Sequence, residues 1–186
     1  YTSYGPIPEG WEVRNLESVI KLEKGIEPGS SSYKNFRGNN SVRFFRVGDL
    51  NRQPSETYIE YNVTKGIVCN SYDIVITFDG ATGVVGFGFE GSYSSGIRKI
   101  KYLDEDFNNP LFFYNYFRSE YVQNIIKSHA KGTTILHASG AIKNLRILFP
   151  SKNISPITME DITYIKNIFP LVINRMNLKY GSLFAA

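Results

Sequence analysis

The run Tyr72-Asp-Ile-Val-Ile-Thr-Phe78 constrains the fold more than any other part of this chain. It is short, β-branched and aromatic, and the turn Asp79-Gly-Ala-Thr-Gly83 follows at once. Such a run reads as a buried strand. The two glycines of the turn can take positive φ, as a tight reversal requires. Val84 to Phe89 then returns, and Gly96 to Leu103 alternates well enough for a further strand. Val42 to Val47 and Thr57 to Val63 read as strands as well. The expected class is α+β: a curved, mostly antiparallel sheet with flanking helices.

Helical signals surround this sheet. Val13 to Leu22 has apolar residues at 13, 16, 19, 20 and 22, a rough helical period, with Gly25 as a stop. Residues 25–41 are rich in Gly, Ser and Asn and read as a long loop, the kind that is usually functional or disordered. Asn108-Asn-Pro-Leu111 carries an Asn cap and Pro110 at the first helical position. The helix it starts should present Leu111, Tyr114, Phe117, Tyr121, Val122 and Ile125 to the core and end near Lys131-Gly132. Ile142 to Phe149 is expected as the last strand, closed by Pro150. Beyond a polar link, Thr158 with Asp161 three residues on reads as a variant capping box. Ile162, Ile165, Phe169, Val172 and Met176 follow at a/d spacing, the pattern of a coiled-coil-type helix packed lengthwise on another helix. Pro170 should kink or restart it. The expected division is a domain over 1–150 and a linker with a helical spacer over 151–186.

Bulk features exclude several classes. The lone Cys69 cannot form an internal disulfide and reads as a small buried hydrophobe, which suits a reducing, cytoplasmic setting. No apolar stretch approaches the roughly 20 residues of a membrane helix. The start lacks a signal-peptide layout and an initiator Met, so a piece of a longer or processed chain is expected. Net charge is only +4, but it is unevenly placed. Residues 24–52 carry six basic side chains against two acidic ones, and residues 118–152 carry six against one. Two basic segments on a net-negative remainder suit a polyanion held on one face, with scattered solvated charge as the alternative.

No catalytic motif emerges. Gly86-Phe-Gly-Phe-Glu-Gly91 has the letters of a dinucleotide fingerprint, but the mechanism needs a helix to begin there, and a strand is expected instead. Close packing or a sheet corner explains those glycines better. Asn109-Pro-Leu-Phe112 lacks the second proline of the motif that holds the target amine in adenine methyltransferases. His129 and His137 have no identifiable catalytic partner, and no zinc-like spacing exists. No cofactor and no metal are expected. Asp73 and Asp79 read as turn makers.

Several pieces in order carry a resemblance. They are Pro8-Glu-Gly-Trp11, Lys24-Gly25 with Tyr33, Phe45-Arg-Val-Gly-Asp-Leu50, Asp73-Ile-Val75, Gly80-Ala-Thr-Gly83, Ser95-Gly-Ile97, Gly132-Thr133 and Leu145-Arg-Ile-Leu-Phe-Pro150. The ordered set resembles the target recognition domain of the specificity subunit of type I restriction-modification enzymes. The resemblance spans roughly residues 6–150. It implies a non-catalytic reader of a DNA half-site that directs methyltransferase and restriction subunits. It also implies a second recognition domain, or a second copy, joined through the C-terminal helix. After Pro150 the chain departs from the family pattern with Ile154-Ser-Pro-Ile-Thr-Met-Glu-Asp161, so a recognition domain within a single-chain restriction-methylation enzyme stays open.

In such a reader, Lys and Arg contacts to phosphates set position and make binding salt-dependent, while loop side chains read base edges. Charge and loop position select Tyr33, Lys34, Arg37, Arg43 and Arg52 in the first basic segment, with Arg43 and Arg46 equally readable as residues of a sheet surface. Lys131, Thr133 and Thr134 follow in the second, with Arg98 and Lys99 as further choices. Two competing classes remain: a small hydrolase or nuclease built on a site that spacing does not reveal, and a protein-binding module that uses only the helix seam.

Overall fold

A computed structural model of the chain describes residues 10–51, 56–103, 109–130 and 139–150. The strands are β1 (Trp11–Asn15), β2 (Ile20–Lys24), β3 (Ser41–Phe45), β4 (Tyr58–Glu60), β5 (Ile74–Thr77), β6 (Val85–Phe87), β7 (Ser92–Tyr93), β8 (Ile97–Tyr102) and β9 (Arg146–Pro150). The helices are α1 (Pro110–Arg118) and α2 (Glu120–His129), and short 3₁₀ turns connect several strands.

The expected buried strand is β5, and every one of its residues is buried. It lies inside a four-stranded antiparallel sheet of order β2-β8-β5-β6. Alternation along β5 feeds two cores. Ile74, Ile76 and Phe78 join the larger one, where Phe112, Phe113, Tyr116 and Phe117 of α1 meet Val122 and Ile126 of α2 and Ile147 of β9. Val75 points the other way and joins Phe45, Cys69, Tyr93 and Ile97. The turn after β5 closes through Gly83 N donating to Thr77 O at 2.8 Å, with positive φ at Gly80 and Gly83. A second sheet has the order β4-β3-β7, in which β3 and β7 run parallel. β1 and β9 form an antiparallel ribbon that brings Trp11 opposite Pro150.

The segment expected as a helix over Val13 to Leu22 is two strands joined by a 3₁₀ turn at Leu16–Ser18. The apolar spacing there is too loose to choose a period. Long-range pairing chooses instead, since β1 finds β9 and β2 finds β8. Gly25 is therefore no helix stop. It is the point where the chain crosses the 93–94 backbone: a Cβ at 25 would lie 2.2 Å from the Ser94 carbonyl oxygen.

The helix start is as expected: the Asn109 side chain accepts from Phe112 N at 3.0 Å, with Pro110 in the first turn. The helix is not continuous. It stops at Ser119, whose hydroxyl caps α2 by accepting from Val122 N. The buried stripe of α1 is Phe112, Phe113, Tyr116 and Phe117, and Leu111 is 49% exposed. The last strand begins at Arg146, because residues 139–144 wind into a 3₁₀ turn. The a/d seam from Ile162 to Met176 lies outside the described residues.

Side chains from the helices tie these parts together. Tyr116 OH donates to Arg146 O at 2.8 Å, and Arg146 N donates to Tyr121 OH at 3.0 Å. Gln123 Nε2 donates to the carbonyls of Gly83 and Phe117, both at 2.8 Å, and so fixes the turn after β5 to α2. His129 bridges the Ile125 carbonyl at 2.9 Å and Asn144 Nδ2 at 2.7 Å, a structural position that joins α2 to the 139–144 turn.

Candidate nucleic-acid interface

The first basic segment folds over the β3–β4 edge. Lys34 makes two backbone hydrogen bonds with Tyr58 of β4, and Tyr58 stands opposite Arg43 of β3. Residues directly opposite in antiparallel pairs point to one side. Lys34, Tyr58 and Arg43 therefore form a row across the sheet. Arg37 joins this row at an open groove of about 540 Å³, which Arg43, Tyr58, Ser71 and Glu90 also line. Arg37 and Arg43 form no ion pair with any described residue. Lys34 is paired with Glu60, and both side chains are 38% exposed. Such a surface pair is weak enough to be exchanged for a phosphate.

Tyr33, one residue before Lys34, goes to the opposite side. Its ring stacks on Phe44 with centroids 5.4 Å apart, and the Arg46 guanidinium sits 5.8 Å from its centre. Strand alternation separates neighbours in the chain that charge counting had grouped together.

Arg98 and Lys99 are committed inside the domain. The Arg98 guanidinium donates to the carbonyls of Ser95 and Ile97 and to Asp79 Oδ2, at 11% side-chain exposure. It clamps the turn after β5 to the turn before β8. Lys99, 14% exposed, donates to Val68 O at 2.6 Å and pairs with Glu23 and Asp73. Glu23 collects Lys99, Lys101 and the Tyr93 hydroxyl. Burial would raise the Glu23 carboxyl, but the hydrogen bonds from Lys101 and Tyr93 and the charge of Lys99 together hold it below its ordinary value. Burial first, and then the Asp73 charge, push the Cys69 thiol up to about 12, as befits a packed hydrophobe. Arg52, Lys131, Thr133 and Thr134 lie outside the described residues, as does His137.

Tyr58, Ser71 and Glu90 are polar groove residues that charge and loop position do not select. A signal for Glu90 lies in Gly88-Phe-Glu-Gly91, where glycines flank an acidic residue between two strands. Gly91 has φ +130°, and a Cβ there would lie 2.2 Å from the Arg43 carbonyl oxygen. Only glycine lets this segment lie on β3. The dinucleotide-like letters thus serve close backbone approach, as expected for a sheet corner. Among the described residues, no three His, Cys, Asp or Glu side chains gather as a metal site would require, and no helix is long and apolar enough to cross a membrane.

The same chain path occurs in solved specificity subunits. The type I restriction-modification S subunit from M. genitalium superposes with a TM-score of 0.57 at 19% identity, over 96% of this chain and 43% of that one. The HsdS subunit from Thermoanaerobacter tengcongensis gives 0.62 at 16% identity, over 94% of this chain and 41% of that one. The fold is that of one part of a restriction-modification specificity subunit. Residues 8–167 match the type I restriction modification DNA specificity domain, and the chain belongs to this family. It is also similar to the type I restriction enzyme MjaVIII specificity subunit of Methanocaldococcus jannaschii, 28% identical over 149 residues. That similarity covers 77% of this chain and 33% of the relative, so the chain spans about a third of the relative's length.

Proposed function

We propose that this domain reads one half of a bipartite DNA site for a type I restriction-modification system and leaves the chemistry to partner methyltransferase and restriction subunits. The observation that carries this reading is the groove lined by Arg37, Arg43 and Tyr58, with Lys34 paired to the Tyr58 backbone beside it. Arg37, exposed in the groove, and Lys34, in its surface pair nearby, contact phosphates, which positions the duplex. Arg43, deeper in the groove, meets base edges. Arg98 and Lys99 take no part, because their charges hold the fold together. The domain division at Pro150, and a seam from Ile162 to Met176 that packs on a helix of a second recognition unit, complete the proposal. Assembly on DNA in the cytoplasm follows from the same reading.

The test is affinity for duplex DNA over a range of salt concentrations. Arg37→Ala and Lys34→Ala should weaken binding about equally on cognate and scrambled duplexes. Each should flatten the dependence of log affinity on log salt by about one unit. If neither substitution changes binding even at low salt, the groove is solvated surface and the reading fails.

A further inference from the structure

The groove holds a carboxylate among its arginines. Glu90 is exposed, lines the same groove as Arg37 and Arg43, and forms no ion pair with any described residue. Gly91 fixes it there: its left-handed φ and its approach to the Arg43 carbonyl lay the 88–91 segment along β3. The bridge between Gly91 and Cys69, with hydrogen bonds of 2.8 and 3.0 Å, holds the segment from its other side.

A site built only for phosphate gains nothing from a carboxylate, which repels the ligand. A base edge is different. In the major groove a G·C pair offers the guanine N7 and O6 acceptors beside the cytosine N4 donor. Arginine matches the first and a carboxylate the second. An A·T pair is matched best by Asn or Gln, and neither type lines this groove.

We infer that the groove between β3, β4 and residues 88–91 reads a G·C base pair, Arg43 donating to guanine and Glu90 accepting from the cytosine amino group. The inference rests on the DNA-reading proposal above and adds to it a residue pair and the base pair it selects. The arginine also offsets the repulsion between Glu90 and the flanking phosphates, so the two side chains work as one unit.

The test uses the full-length specificity chain in its assembled complex. Wild type, Arg43→Ala and Glu90→Gln each select from a random duplex library, and melting curves confirm that the variants fold. Wild type should enrich a motif with an invariant G·C pair. Each variant should relax the preference at that pair by about tenfold or more while the other positions stay selected. If a variant does not fold, the wild-type complex is titrated with its selected site carrying 7-deazaguanine or N4-methylcytosine at that pair. Loss of about tenfold in affinity for either analogue supports the contact, and unchanged affinity for both overturns it. A motif that either folded variant retains in full also overturns this inference, and leaves the DNA-reading function standing. If wild type selects no motif at all, both fall together.

Discussion

Gly25→Ala should destabilise the domain by about 2–4 kcal/mol, although alanine is the smallest side chain that can be added. A methyl group at 25 would stand 2.2 Å from the Ser94 carbonyl oxygen and 2.4 Å from that of Tyr93. Comfortable contact needs about 3.5 Å, so the two backbones must part by roughly 1 Å. Gly25 N donates to Ile97 O at 3.1 Å and Ile26 N to Tyr93 O at 2.9 Å at this same crossing. Forcing volume into a packed site costs about 1–3 kcal/mol, and losing one of the two hydrogen bonds adds about 1 kcal/mol. For a domain of this size the midpoint of thermal unfolding moves about 2–4 °C per kcal/mol, which makes a fall on the order of 10 °C. Gly48→Ala is the control, since nothing lies within 4 Å of a Cβ built there. It should stay within about 0.5 kcal/mol of wild type. Urea and thermal unfolding followed by far-ultraviolet circular dichroism measure both. A Gly25→Ala protein as stable as the Gly48→Ala protein would refute the account of the crossing.

The Glu23 cluster makes stability depend on pH. Its folded carboxyl titrates below the ordinary 4.5, so its contribution is complete above that value and is lost as pH falls through the folded one. Glu23→Gln should therefore lower the urea midpoint at pH 7, and the gap from wild type should close below about pH 4.5; a gap that does not vary with pH would contradict the network. With its thiol pushed up from 9.0 to about 12, native Cys69 should react with a disulfide reagent at pH 8 on the order of 10³-fold more slowly than the unfolded chain. Comparable rates in buffer and in urea would show that the thiol is accessible.

Features governed by a few neighbouring residues were legible in the sequence. The β-branched run at β5, the glycine turn after it, the Asn109 and Pro110 helix start and the burial of Cys69 all stand where the residues alone place them. The order of weak motifs also carried the family, because spacing between turns and strands survives when individual contacts change. The basic content of residues 24–52 was equally plain.

Other features depend on which distant segment lies alongside, and residues read one at a time do not contain that. Val13 to Leu22 fits a helix as well as it fits two strands, and partners near residues 100 and 148 decide between them. Lys99 and Arg98 look as available as Arg43 in sequence. Asp73, Asp79 and Glu23 take up the first two, while the third opens onto a groove. Glu90 becomes a candidate only because Gly91 lays it against β3. The sequence by itself determined the buried strand β5, the glycine turn after it, the family and the basic character of residues 24–52, since each follows from local chemistry or from the order of local motifs. Which cations are taken up in buried ion pairs, and which side of the sheet the others face, was decided by the tertiary structure, because that depends on which distant carboxylate the fold brings alongside.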